Sequence, residues 1–173
     1  IYAELRGQPA PLEIRVARGG FNTPQRTTAQ AIFVHASNPL AGLTVAQIDA
    51  IFGQERRQGF KEAINTWGQL GLTGEWARRP ITVYVPPRVT PNAMSLQISV
   101  LREGAWSSVV QEKSVAELAA AVAANPGAIG FGGFEDGPDL KTVPVAGRAG
   151  DAFVAGSAAD VASGRYPLTR YMY

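Results

Sequence analysis

Cysteine is absent from the 173 residues, which excludes disulfides, thiolate metal sites and cysteine nucleophiles. That absence suits either redox compartment, including a periplasm where stray thiols are a liability. A single histidine, His35, gives no basis for a histidine-rich metal cluster, and placed at a strand end it reads as a structural residue. Long apolar runs are missing too: no stretch approaches the 18 or so residues that a membrane-spanning helix needs. Charge is sparse, at 17% Asp, Glu, Lys and Arg, with a formal balance of +2 and the basic residues dispersed, which argues against nucleic acid as a partner. Neither G-x-S-x-G nor H-E-x-x-H occurs, and no nucleophile–base pair is legible. Asp49, Glu55, Glu62 and Glu75 read as solvated helix and loop residues. The expectation is a protein that is not an enzyme and uses no cofactor and no metal. Repeats and low-complexity tracts are lacking as well. With no initiator Met and no signal-peptide pattern at Ile1, the chain reads as a mature or excised piece.

What is present is core-forming material. Hydrophobic residues make up 46% of the chain, enough for a globular fold, and the length suits one domain or slightly more. Ile1 to Gln8 reads as the tail of a helix, and Leu12 to Ala17 alternates as a half-buried strand should. Arg18 to Gln30 reads as a loop, followed by a buried strand over Ala31 to His35. Thr44 and Gln47 form a T-x-x-Q capping box ahead of Val45, Ile48, Ile51 and Phe52, a helix that Gly53 closes as a C′ glycine. Gln54 to Pro80 is a polar, glycine-rich loop in which Trp67 and Trp76 read as anchors to the core. Further on, Val109-Val110 is a candidate extended piece. Ser114 and Glu117 open another helix, which stops at Asn125-Pro126-Gly127. Ala128 to Phe131 and Leu140 to Val145 read as strands, Ser157 to Ser163 as a short helix, and Tyr166 to Tyr173 as a final extended segment. Strands alternating with capped helices imply an α/β fold with a partly parallel sheet.

One stretch carries chemistry of its own. In ITVYVPPRVTPNAMSLQISVL, Ile81 to Val85 reads as a buried strand, and a helix opens at Thr90 with Pro91 in its first position. The first amides of a helix have no partner within it, and its dipole favours negative charge there. Arg88, two residues ahead of the cap, offers a guanidinium fork. The same residues also suit an ordinary strand-to-helix turn with a surface arginine.

Four runs then appear in order: AIFVHASNPLAGLTVAQIDAIFG, ITVYVPP, SVAELAAAVAANPGAIGFGG and SGRYPLTRYMY. Together they resemble the second half of phosphate-type solute-binding proteins, the extracytoplasmic receptors of ABC importers, over roughly Leu12 to Tyr173. The resemblance implies an α/β, type 2 periplasmic-binding-protein-like fold, a mixed sheet flanked by helices, forming an incomplete two-lobed protein. It further implies that residues 1–30 are the tail of the first lobe and a loop, 31–139 the second lobe, and 140–173 a return to the first.

The family's oxyanion motif in this lobe is an arginine, an acidic residue two positions on, and S-G-T at a helix start. Here Pro86 stands at the arginine, Arg88 at the acid, and Thr90-Pro91-Asn92 at S-G-T. Ligand contacts are accordingly expected from Thr90, Asn92, Arg88 and Ala93. The expected partners are a small oxyanion such as phosphate and an ABC permease, in a periplasmic or extracytoplasmic setting, with dimerisation through an exposed hinge surface as a further expectation. The alternative is an interaction, scaffold or sensor domain that keeps the fold without the ligand.

Overall fold

The computed structural model describes residues 17–21 and 28–172. Its centre is a five-stranded mixed sheet flanked by helices. Strand β2 (Gln30–Val34) is buried at every position, because neighbouring strands cover both edges and helices or loops cover both faces. That explains why its sequence is continuously apolar after Gln30. The strand begins and ends one residue earlier than AIFVH suggests. His35 lies just beyond it, with Nδ1 2.8 Å from the Ser37 hydroxyl.

Beside β2 run β6 (Ala128–Gly133) and β7 (Lys141–Val143), both antiparallel to it. Beyond β6 come β4 (Thr82–Val85) and then β5 (Gln111–Glu112), with β4 parallel to both of its neighbours. Ile32 faces Phe131 across one ladder, and Val83 faces Ile129 across another.

Period-two alternation divides these residues between the faces. Ile32, Val34, Val83, Val85, Ile129 and Phe131 enter the larger core cluster. Helices α1 (Val45–Phe52) and α2 (Pro91–Ser99) contribute Ile48, Ile51, Phe52, Ala93 and Leu96 to the same cluster. Ala31, Phe33 and Ala128 face the other way, against Leu118 and Val122 of α3 (Val115–Ala124). Gly130 permits that approach, since a Cβ there would sit 3.0 Å from Leu118 Cδ2 and 3.2 Å from Val122 Cγ2. Helix α4 (Ala158–Ser163) closes on Gly164 at φ 76°.

The loop between α1 and β4 is fastened by its tryptophans. Trp67 is fully buried and donates from Nε1 to the Gly127 carbonyl at 3.2 Å, and Trp76 packs edge-on against it. The Arg79 guanidinium lies 4.1 Å over the Trp76 ring.

Several expectations are corrected. Gly53 is extended, at φ −97°, not left-handed. Its lack of a side chain matters because a Cβ would lie 2.4 Å from Asp49 Oδ1. Asp49 itself is buried, not solvated. Its Oδ2 accepts the Gln58 N–H at 2.6 Å, and burial pushes its carboxyl above the usual range. Val109 lies in a turn, and the extended pair is Gln111–Glu112.

Leu140 to Val145 is not one strand. Pro144, which has no N–H to give, separates β7 from β8 (Val145–Ala146), and β8 pairs in parallel with β3 (Leu43–Thr44). Among the described residues of the terminal segment, only β9 (Tyr171–Met172) is extended, paired with β1 (Ala17–Arg18). Tyr166 to Leu168 turn instead. The expected helix tail at 1–8, and most of the strand at 12–17, fall outside the described residues.

Candidate functional site

Strand β4 delivers the chain to α2 through Pro86, Pro87, Arg88 and Val89. The Thr90 N–H turns back to the Pro87 carbonyl at 2.8 Å, and its Oγ1 accepts the Ala93 N–H at 3.3 Å. Pro91 has no N–H to satisfy. That leaves the Asn92 N–H, which has no partner among the described residues. The first turn also carries no acidic residue to offset the helix dipole.

Thr90, Asn92 and Ala93 therefore share one turn. Ala93 is fully buried, with its amide spent on the cap. Arg88 is directed elsewhere: its Nε meets Glu112 Oε1 at 2.8 Å on β5, with both side chains about half exposed (51% and 44%).

Residues outside the motif complete the arrangement. Arg170 donates from Nη1 to Asn92 Oδ1 at 3.0 Å and from Nη2 to the Pro91 carbonyl at 3.4 Å. Gln30, at the start of β2, donates from Nε2 to the Asn92 carbonyl at 2.6 Å. Half-burial lowers the Arg170 pKa from its usual value, and among the described residues it has no carboxylate partner. Asp136 arrives from the turn after β6, where its Oδ2 accepts the Gly133 N–H at 2.6 Å.

Asn92 and Asp136 line a small recess with Pro86, Val115, Leu118, Phe131 and Gly132. Its volume of about 10 Å³ approximates what one water requires. Arg170, Gln30 and Asp136 were not singled out from the sequence. Arg170 lay inside the quoted SGRYPLTRYMY run, and Gln30 is a polar residue opening an apolar strand; nothing local marked Asp136.

Around the first turn of α2 the donors on offer are one free amide, the Asn92 carboxamide NH₂ and a guanidinium, with the Asp136 carboxylate lining the same recess as Asn92. Such a set suits an anion and offers no nucleophile–base pair. Among the described residues no group of three or more His, Asp or Glu could hold a metal ion, and no helix is long and apolar enough to cross a membrane.

Comparison with known proteins decides the family. Residues 13–173 match the family model described as a PBP superfamily domain. The chain belongs to the PBP superfamily. Among its relatives is the phosphate-binding protein PstS of Pseudomonas aeruginosa, 36% identical over 152 residues, an alignment covering 87% of this chain and 47% of that protein. This PBP superfamily chain thus spans about half the length of the curated relatives it matches.

Solved structures agree on the fold. A possible phosphate-binding protein from Planctomyces limnophilus superposes with a TM-score of 0.69 at 21% identity, over 92% of this chain and 53% of that one. An ABC-type phosphate transport receptor from Vibrio cholerae gives 0.66 at 18%, over 91% and 56%. A putative phosphate ABC transporter substrate-binding protein from Clostridium perfringens, solved with bound phosphate, gives 0.62 at 23%, over 91% and 55%.

Proposed function

We propose that this PBP superfamily chain is an extracytoplasmic receptor for a phosphate-like oxyanion, or the portion of one that holds its second lobe, and that it delivers ligand to an ABC permease. The reading draws on the name of the Pseudomonas aeruginosa relative and on the open start of α2. In it, residues 31–139 form the second lobe, and 1–30 and 140–173 belong to the first. Asn92 offers its free amide and carboxamide, Thr90 and Ala93 shape the turn, and Arg88 supplies positive charge nearby after leaving Glu112.

The observation that carries the reading is the unpartnered Asn92 N–H at a helix start with no first-turn acid. Calorimetric titration with phosphate, sulfate and related oxyanions tests it. Saturable heat that weakens in Asn92→Ala is the expected result, and absence of heat with every anion ends the proposal.

A second reading, a ligand-free interaction domain on the same fold, is favoured by the recess of about 10 Å³ and by the Arg88–Glu112 pair. Under it, Thr90→Ala and Arg88→Ala leave partner binding unchanged and no oxyanion produces heat.

A further inference from the structure

We infer that Arg170 is a positioning residue for the oxyanion site: it fixes which way the Asn92 carboxamide faces, and so presents the Asn92 NH₂ to the guest. The inference rests on the receptor reading above and concerns a residue outside the helix that carries the site.

A carboxamide has one acceptor end and one donor end, and a guanidinium carries donors only. With Arg170 Nη1 3.0 Å from Asn92 Oδ1, turning the amide over would set NH₂ against N–H. The oxygen therefore stays on Arg170, and the NH₂ is directed to the other side. The second hydrogen bond, from Nη2 to the Pro91 carbonyl, ties the same guanidinium to the first residue of α2. Gln30 holds the Asn92 carbonyl independently, so the residue is gripped through main chain and side chain by two elements foreign to its helix.

Those elements are themselves fastened together. The buried Tyr166 hydroxyl donates to the Gln30 carbonyl at 2.8 Å, and the Gln30 N–H reaches the Leu168 carbonyl at 3.1 Å. Thr169 Oγ1 closes the turn onto the Tyr166 carbonyl at 2.8 Å, and the Gly19 N–H meets the Arg170 carbonyl at 2.7 Å. Arg170 is thereby delivered to α2 by a turn anchored on the central strand. It sits at the helix end where the dipole disfavours a cation. The acceptors on Asn92 and Pro91 hold it in place.

The test uses the full chain, ¹⁵N-labelled, with inorganic phosphate as the probe. Without phosphate, the Asn92 Nδ2 signals (assigned by their loss in Asn92→Asp) are expected to shift and broaden in Arg170→Met and to recover largely in Arg170→Lys, whose ammonium can also donate to Oδ1. Phosphate affinity is expected to fall about tenfold in Arg170→Met, the scale of one charge-assisted hydrogen bond. The double variant Asn92→Ala, Arg170→Met should bind no more weakly than Asn92→Ala alone.

Unchanged Asn92 Nδ2 signals in Arg170→Met overturn the assignment, whatever happens to the melting temperature. So does a further tenfold loss in the double variant, which would make Arg170 a ligand contact in its own right. Should Arg170→Met not fold, Arg170→Gln is read by the same signals, since its shorter neutral side chain falls short of Asn92. If the unmodified chain takes up no phosphate, the receptor reading fails, and the carboxamide signals still decide whether Arg170 orients Asn92.

Discussion

Helices α1 and α2 both begin on a threonine and bury their apolar stripes in the same core cluster, yet their first turns are completed differently. At α1, Thr44 Oγ1 accepts the Gln47 N–H at 3.2 Å and Gln47 Oε1 accepts the Thr44 N–H at 2.9 Å, so cap and third residue satisfy each other. Helices α3 and α4 do the same with Ser114 and Glu117, and with Ser157 and Asp160. At α2 the third residue is Ala93, which has no side chain to reach back with. The Asn92 N–H stays open among the described residues, while Gln30 and Arg170 donate to acceptors on Asn92 and Pro91. An open amide does not set α2 apart, since the Ala46 N–H of α1 has no partner among the described residues either; the side chains gathered at its first turn from distant elements do.

The comparison can be broken first at its common base. If both helices are held by the core, Ile48→Ala and Leu96→Ala should each cost about 2–5 kcal/mol in urea unfolding. A much smaller cost for Leu96 would mean that α2 is held mainly by its hydrogen-bonded clasp.

The caps should then separate the two helices. Thr44→Ala is expected to lower stability by about 1–2 kcal/mol, and Thr90→Ala by about 1 kcal/mol or less, because Thr44 Oγ1 both accepts the Gln47 N–H and donates to Gln47 Oε1, whereas Thr90 Oγ1 accepts one N–H at 3.3 Å. Equal losses would erase the distinction.

Asn92→Asp goes further, placing a carboxylate in the first turn of α2 beside Arg170. Thermal melts should show a gain of about 0.3–1 kcal/mol, while calorimetry shows weaker oxyanion uptake. Both changes moving the same way would refute the idea that this helix end is kept free for an anion.

The smallest effects lie in the acid limb. Hydrogen bonds from the Ser114 hydroxyl and amide hold Glu117 below the usual carboxylate range, and those from Ser157 do the same for Asp160. A folded-state pKa below the unfolded one stabilises the protein above the unfolded value, and that stabilisation is lost as pH falls through the folded value. Ser114→Ala and Ser157→Ala should therefore flatten the decline of the urea midpoint on acidification. Asp49 works in the opposite sense. Desolvation raises its pKa, so its ionised form costs stability at neutral pH, and that cost is relieved as pH falls through the raised value. Asp49→Asn should steepen the net acid decline that the capping carboxylates produce.

Much of this was legible in the chain itself. The boxes at Thr44 and Ser114 depend on residues three apart, and they and the short helix after Ser157 lie close to where the sequence put them. The buried run before His35 announced a strand covered on both faces. What misled was contact at long range. Gly53 looked like a left-handed stop, and its real constraint is the buried Asp49 carboxylate. Pro144 and the turn at Tyr166 break segments whose apolar content alone suggested continuous strands.

At the candidate site the same divide holds. Thr90, Pro91 and Asn92 are neighbours in sequence, so a helix start with few internal partners could be read from spacing alone. Gln30 and Arg170 lie 62 and 78 residues from Asn92. No local pattern reports a pairing of that separation, because it is produced by the order of strands in the sheet and by the turn that Tyr166 anchors. The sequence alone determined where helices begin and which faces are apolar, since capping and periodicity act over a few residues. Only the tertiary structure decided that Arg88 turns to Glu112 while Arg170 turns to Asn92, because an exposed side chain's choice of partner depends on what the fold brings within hydrogen-bond reach.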